Sequence, residues 1–228
     1  MAETPLAELI LYACPVGTLN DQISAFFAAS LAQFGPNMAH NYMTHITVTG
    51  LFHDVPESIP FYIRAIEESL AFVRETPDAS REDEVTRNSN GDGPPPTEVF
   101  HNEPLATHAA TKPVENSSAG NVSITPLRLL FSSKFHAILY SSPTLERIAR
   151  EFAARAKDSA TRADAIRCKT DLHISLAYSF DKSQSEGLER MAREMVDPSA
   201  NVSWELRFYQ RFENGLDTTW TLHKVWSL

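Results

Sequence analysis

One tetrapeptide pattern occurs twice, as His45-Ile46-Thr47-Val48 and, 128 positions further on, as His173-Ile174-Ser175-Leu176. Each copy reads histidine, apolar, hydroxyl, apolar. Successive side chains of a strand point to opposite faces. A strand through either copy therefore puts the imidazole and the hydroxyl on one face and the two apolar residues on the other. Roughly one His-x-[Ser/Thr] is expected by chance in a chain of this composition, and about a quarter of a copy once both apolar positions are required. Both such triplets in the chain carry the full pattern. Two neighbouring strands of this kind bring two imidazoles and two hydroxyls over one pocket, a set suited to acid/base attack on a phosphate ester.

The segments around the two copies rhyme. Leu6 to Cys14 is an apolar run that predicts a buried strand ended by Pro15. Ile23, Phe26, Phe27, Leu31 and Phe34 recur at helical spacing after Thr18, a candidate N-cap, and Gly35-Pro36 closes that helix. The first motif strand is predicted over Thr44 to Phe52. A second helix follows with Ile59, Ile63, Ile66, Leu70 and Val73 on one face. In the second half, strands are predicted over Val122 to Phe131 and Phe135 to Tyr140, joined at Ser132-Ser133. A helix capped by Ser142 runs from Leu145 to about Lys157. The second motif strand, Leu172 to Phe180, precedes a helix over Ser183 to Met195. A hairpin around Asn214-Gly215 ends the chain. The predicted class is α+β, with helices covering the outer faces of antiparallel sheets.

Residues 76–120 have no hydrophobic periodicity and read as a disordered acidic insertion within a single domain spanning 1–228. The stretch 75–121 holds nine acidic and three basic residues, so most of the net charge of −9 sits there. A chain with this balance is not built to grip a nucleic-acid backbone. No CxxC or Cys/His cluster is present, so no metal and no cofactor is expected, and Cys14 and Cys168 read as a reduced, buried pair. No apolar run reaches membrane-spanning length. Met1 to Pro5 lacks a basic region before its apolar stretch, which points to the cytoplasm.

Four segments carry a family resemblance: LILYACPVG at 9–17, HITVTGLF at 45–52, HISLAYSF at 173–180 and TTWTLHKVWSL at 218–228, with Trp220. The chain resembles the two-histidine (2H) phosphoesterases, and within them the eukaryotic cyclic nucleotide phosphodiesterases, over nearly all of its length except 76–120. Thr44 and Leu172 stand where relatives often carry proline before the histidines. The resemblance implies two pseudo-symmetric lobes of antiparallel sheet with the active site in the cleft between them. It also implies metal-free hydrolysis of a cyclic phosphodiester: a nucleoside 2′,3′-cyclic phosphate to the 2′-phosphate, or ADP-ribose 1″,2″-cyclic phosphate, as in disposal of tRNA-splicing by-products.

On that reading His45 and His173 are the acid and base, with His173 the first choice for base. Thr47 and Ser175 donate hydrogen bonds to the non-bridging oxygens. Tyr178, three residues after Ser175, falls on the opposite strand face unless the strand bulges. The family's pattern places it at the substrate. Phe135 is a candidate stacking surface for a base, against core packing as the commoner role. Lys134 and Lys169 are candidate sources of positive potential, against ordinary solvated lysines. The other histidines of the ordered segments, His40, His53, His136 and His223, lack a hydroxyl at i+2 and default to structural roles. The expected partner is a small phosphorylated nucleotide, with neither membrane nor long nucleic acid, and the protein is expected to act as a monomer. The alternatives are an RNA-end enzyme of the same superfamily, a ligase or 3′ exonuclease, and a non-catalytic nucleotide binder.

Overall fold

A computed structural model describes residues 6–76, 122–214 and 217–228. The stretch 76–120, expected to be disordered, lies outside them apart from Thr76, as do His101 and His108. The architecture is α+β. In chain order the main elements are β1 (Ala7–Val16), α1 (Thr18–Phe34), β2 (Ile46–Thr47), β3 (Phe52–Asp54), α2 (Ile59–Glu75), β4 (Thr125–Phe131), β5 (Phe135–Ser141), α3 (Pro143–Arg155), β6 (His173–Tyr178), α4 (Ser185–Met195), β7 (Ser203–Asn214) and β8 (Asp217–Ser227).

All strand pairs are antiparallel, in the order β4-β5-β6-β2-β1-β7-β8, with β3 also on β1. The strands thus join one eight-stranded sheet rather than two sheets facing across a cleft. The physical reason is the β2–β6 contact. Ile46 pairs with Ile174, and this ladder stitches the two rhyming halves edge to edge.

One face of the sheet is dry. Ala7, Leu9, Leu11 and Ala13 of β1, Ile46 of β2, Ile174 and Leu176 of β6 and Phe208 of β7 form one core with the buried sides of all four helices. The opposite face carries a smaller aromatic cluster around Ile10, Tyr12, Cys14 and Tyr209, with Trp220 packed on it. Both faces of β1 are covered, which is why its sequence is a continuous apolar run with no visible alternation.

Pro15 does not end β1; the strand continues to Val16. Odd-numbered residues of β1 turn their backbone groups toward β2, as at Leu11, whose carbonyl accepts from the Val48 N–H at 3.0 Å. β2 pairs no further along than Ala13. The missing N–H of Pro15 therefore faces no ladder and costs nothing. The single strand predicted over Thr44 to Phe52 is broken in two. Between β2 and β3 the buried Thr49 hydroxyl accepts from the Leu11 N–H at 3.1 Å, and the Gly50 N–H donates to the Arg167 carbonyl at 2.8 Å. A side chain replaces a ladder carbonyl there, and the strand kinks.

The helix caps follow local chemistry. Ser142 accepts from the Leu145 N–H at 3.2 Å and opens α3, with Pro143 in the first turn. α1 starts instead from Gly17, whose φ of 99° suits glycine, so Thr18 is the first helical residue and not its cap. Cys14 and Cys168 are free thiols, the first buried and the second half-buried. Among the described residues no helix is long and apolar enough to cross a membrane.

Candidate active site

Both motif strands meet at the centre of the sheet. Because Ile46 pairs with Ile174 in antiparallel register, one step outward in each direction sets His45 opposite Ser175 and Thr47 opposite His173. Each imidazole therefore faces a hydroxyl across the strand gap. The two imidazoles lie on one diagonal of the square and the two hydroxyls on the other. Diagonal neighbours in such a ladder are about 7–8 Å apart, within reach of one small group held between them. The apolar partners Ile46, Val48, Ile174 and Leu176 are all at most 1% exposed, on the helix side. The four polar residues are half-buried and line a common cavity of about 340 Å³.

The imidazoles are oriented alike. His45 Nδ1 lies 2.7 Å from the carbonyl of Met43, and His173 Nδ1 lies 2.8 Å from the carbonyl of Asp171, two residues upstream in each case. A carbonyl only accepts, so Nδ1 carries the hydrogen in both rings. Each neutral ring then has its lone pair on Nε2. Burial pushes the His45 imidazolium down to about 4. The Met43 carbonyl opposes that shift, and the nearby His173 adds to it. His45 is thus a neutral acceptor at physiological pH.

Tyr178 joins the site through a bulge. Ala137 pairs with Ser175, but His136 pairs with Ala177, so β6 advances two residues while β5 advances one. Leu176 and Ala177 are consecutive yet both 0% exposed. That extra residue turns Tyr178 onto the face of Ser175, where it lines the cavity beside Phe135, its ladder partner. Burial, reinforced by Tyr42, raises the Tyr178 phenol, and its side chain bonds to that of Tyr42. It therefore stays protonated. Phe135 is half-buried and meets His173 edge-on, with ring centroids 5.3 Å apart at 88°. His45, Thr47, Phe135, His173, Ser175 and Tyr178 thus line one cavity.

The remaining walls are Tyr12, Phe27, Ala39, Tyr42 and Met43. Sequence reasoning missed these. Tyr12 was hidden in the apolar run of β1, and the segment before His45 has no periodicity to read. No Lys, Arg, Asp or Glu is among the described lining residues, so neither Lys134 nor Lys169 lines the cavity. Among the described lining residues, the groups that can carry positive charge are the two imidazoles, and the hydroxyls of Thr47, Ser175 and the tyrosines are further donors. Among the described residues no group of three or more His, Cys, Asp or Glu is placed to hold a metal ion.

The other described histidines sit elsewhere. His40 pairs with Ser30 Oγ at 3.0 Å, His136 with Ser185 Oγ at 3.3 Å and His223 with Gln210 Oε1 at 3.1 Å. His53 lies between Glu8 and Asp164, at 3.0 Å from each. It fastens the segment leading to β6 onto β1.

No protein-family model matches the chain, and no solved structure does. Curated relatives do match. The chain is 27% identical over 221 residues to an ecdysteroid-phosphate phosphatase of Bombyx mori, covering 97% of this chain and 26% of that protein. It is 28% identical over 207 residues to the ecdysteroid-phosphate phosphatase of Drosophila melanogaster, covering 90% and 26%. It is 26% identical over 207 residues to the mouse ubiquitin-associated and SH3 domain-containing protein B, covering 90% and 25%. The chain spans about a quarter of the length of these relatives.

These relatives correct the resemblance. The expected membership of the 2H phosphoesterases, and with it cyclic phosphodiester hydrolysis and a part in tRNA splicing, gives way to similarity with proteins named as phosphatases. The physical reason lies in what the motif records. His-x-[Ser/Thr] on a strand says that an imidazole and a hydroxyl share a face. Proton transfer and oxyanion contacts of that kind serve phosphate esters generally, so the motif does not select the cyclic ester.

Proposed function

We propose that this chain is a phosphatase that hydrolyses the phosphomonoester of a small molecule, with the phosphoryl group between His45 and His173. The observation that carries this reading is the antiparallel register about Ile46 and Ile174. It supports two free Nε2 atoms on one diagonal and two hydroxyls on the other, over one cavity. The two relatives named as phosphatases support the ester class.

In this mechanism water attacks phosphorus in line with the ester oxygen. Neutral His45 accepts the water's proton at Nε2 as the new P–O bond forms. His173, as the imidazolium, gives its Nε2 proton to the departing alkoxide as the ester P–O bond breaks. Thr47 and Ser175 donate hydrogen bonds to the non-bridging oxygens. Alcohol and inorganic phosphate leave, His45 passes the proton it took from water to solvent, and His173 takes one back. This order reverses the one expected from sequence, because burial keeps His45 neutral. The acid limb of kcat/KM follows from the same group: falling pH protonates His45 and removes the base, so the limb lies well below the usual histidine value, near 4.

The alcohol sits against Phe27, Tyr42, Met43 and Phe135. A buried phenyl ring contributes about 2–3 kcal/mol by area. Inorganic phosphate release from 2-phenylethyl phosphate is therefore expected to exceed that from glycerol phosphate by at least about tenfold in kcat/KM. Equal rates contradict the apolar subsite, and no phosphate from either contradicts the phosphatase reading.

A further inference from the structure

The two imidazoles are matched in sequence and in hydrogen bonding but not in what covers them. Phe135 and His173 meet edge to face, with ring planes at 88°. Tyr12 lies face-on to His45, with ring centroids 3.8 Å apart and planes 31° from parallel. Tyr12 pairs with Thr47 across β1 and β2, so its side chain reaches His45 along the ladder diagonal. His45 precedes the first residue of β2, and among the described residues its side chain has one hydrogen bond, from Nδ1 to the Met43 carbonyl. That bond restrains the ring torsion but covers neither ring face.

The Tyr12 ring covers one face, and it is itself tightly packed. It is 3% exposed and wedged against Trp220 at 5.8 Å and Tyr209 at 6.0 Å. Tyr42 approaches His45 at 6.0 Å and also leans on Trp220 at 5.8 Å. β1, β7 and β8 thus back the imidazole through a continuous cluster of tilted rings.

Building on the phosphatase reading, we propose that Tyr12 is the positioning residue of the site: its ring, clamped by Trp220 and Tyr209, holds the His45 imidazole with Nε2 toward the cavity and keeps water from the ring face. This breaks the pseudo-symmetry of the pair and separates the base from the acid. The titratable groups around His45 are Tyr12 and Cys14 on β1, Tyr42 before it, and His173 and Tyr178 on β6. Behind them on β7, Arg207 pairs with Glu205 at 2.7 Å and Arg211 with Glu8 at 2.7 Å. Their charges are met.

The test is an NMR pH titration of His45 in the full chain, alongside kinetics on 2-phenylethyl phosphate. In Tyr12→Ala water reaches the ring face, and the His45 midpoint is expected to rise by at least about one unit toward the ordinary value. Tyr12→Phe keeps the ring and is expected to keep the midpoint. Tyr12→Leu keeps apolar bulk but loses the ring-on-ring contact, so kcat is expected to fall at least about tenfold with KM within threefold. A folded Tyr12→Ala with an unmoved midpoint overturns the proposal. If that variant does not fold, a Tyr12→Leu protein with wild-type kcat overturns it instead. Should the wild type release no phosphate, the function reading fails, and the titration still decides the part of Tyr12.

Discussion

His173→Ala lowers kcat on an alkyl phosphate by about 10²–10⁴-fold, the range for one positioned general acid. An alkoxide leaving without a proton is a very poor leaving group, and no Lys or Arg among the described lining residues can take over. The loss shrinks with the acidity of the alcohol. On 4-nitrophenyl phosphate, whose leaving group needs no proton, His173→Ala is expected to cost less than about tenfold, because the transition state is loose and the alcohol departs as a stable anion. The fold is unaffected, since the ring is half-buried and faces the cavity, while Ile174 and Leu172 keep the strand in the core. Steady-state kinetics on both esters, with a thermal melt for each protein, check this. Equal losses on the two esters contradict the assignment of His173 as acid.

Asp54→Ala lowers stability by about 3 kcal/mol, at the upper end for a buried hydrogen-bonded group. Asp54 is 0% exposed at the end of β3. Its carboxylate accepts from Tyr62 Oη at 2.5 Å, from Ser159 Oγ at 2.6 Å and from the Val55 N–H at 2.7 Å. Burial alone pulls this carboxyl up, but the donors Ser159, Thr161, Tyr62 and Val55 outweigh it and hold it below the usual range. One side chain thereby ties β3 to α2 and to the segment after α3. Removing it takes the carboxylate acceptor from both the Tyr62 and the Ser159 hydroxyls, the former inside a cluster with Phe52, Phe152 and Phe208.

The sign with pH follows from the lowered value. The stabilisation is present above the unfolded carboxyl's pKa and is lost as pH falls through the lower folded one. Denaturant unfolding of Asp54→Ala, Tyr62→Phe and the double variant measures the coupling. The double variant is expected to lose less than the sum of the singles, because Tyr62→Phe removes the hydroxyl that has lost its carboxylate acceptor. A single-variant loss below about 1 kcal/mol contradicts the tie.

Legibility in the sequence followed periodicity. The four polar motif residues could be assigned to one face because each copy alternates cleanly with Ile46, Val48, Ile174 and Leu176. α2 was legible from Ile66, Leu70 and Val73, all buried. In α1 the spacing included Leu31, which is 47% exposed, because the apolar side of that helix is wider than the strip it buries. Tyr178 could not be placed, since its facing depends on a one-residue bulge set by the ladder with β5. Tyr12 was invisible for a different reason. β1 is apolar on both faces, so nothing in it marks which residue looks at the imidazole. The single sheet was hidden because one ladder pair, Ile46 with Ile174, decides whether two halves face each other or join. The ester class was not legible at all, as the motif's chemistry is shared among phosphate esters.

The central claim is that His45 and His173 act on one phosphoryl group as a unit. Groups that act in one transition state lose their effects together and not in proportion. The direct measurement is a kinetic double-mutant cycle on 2-phenylethyl phosphate, reading inorganic phosphate release for the wild type, His45→Ala, His173→Ala and the double variant. The double variant is predicted to be no more than about tenfold slower than the slower single. A double variant slower by the product of the two single effects would mean that the imidazoles act independently, and would contradict the account.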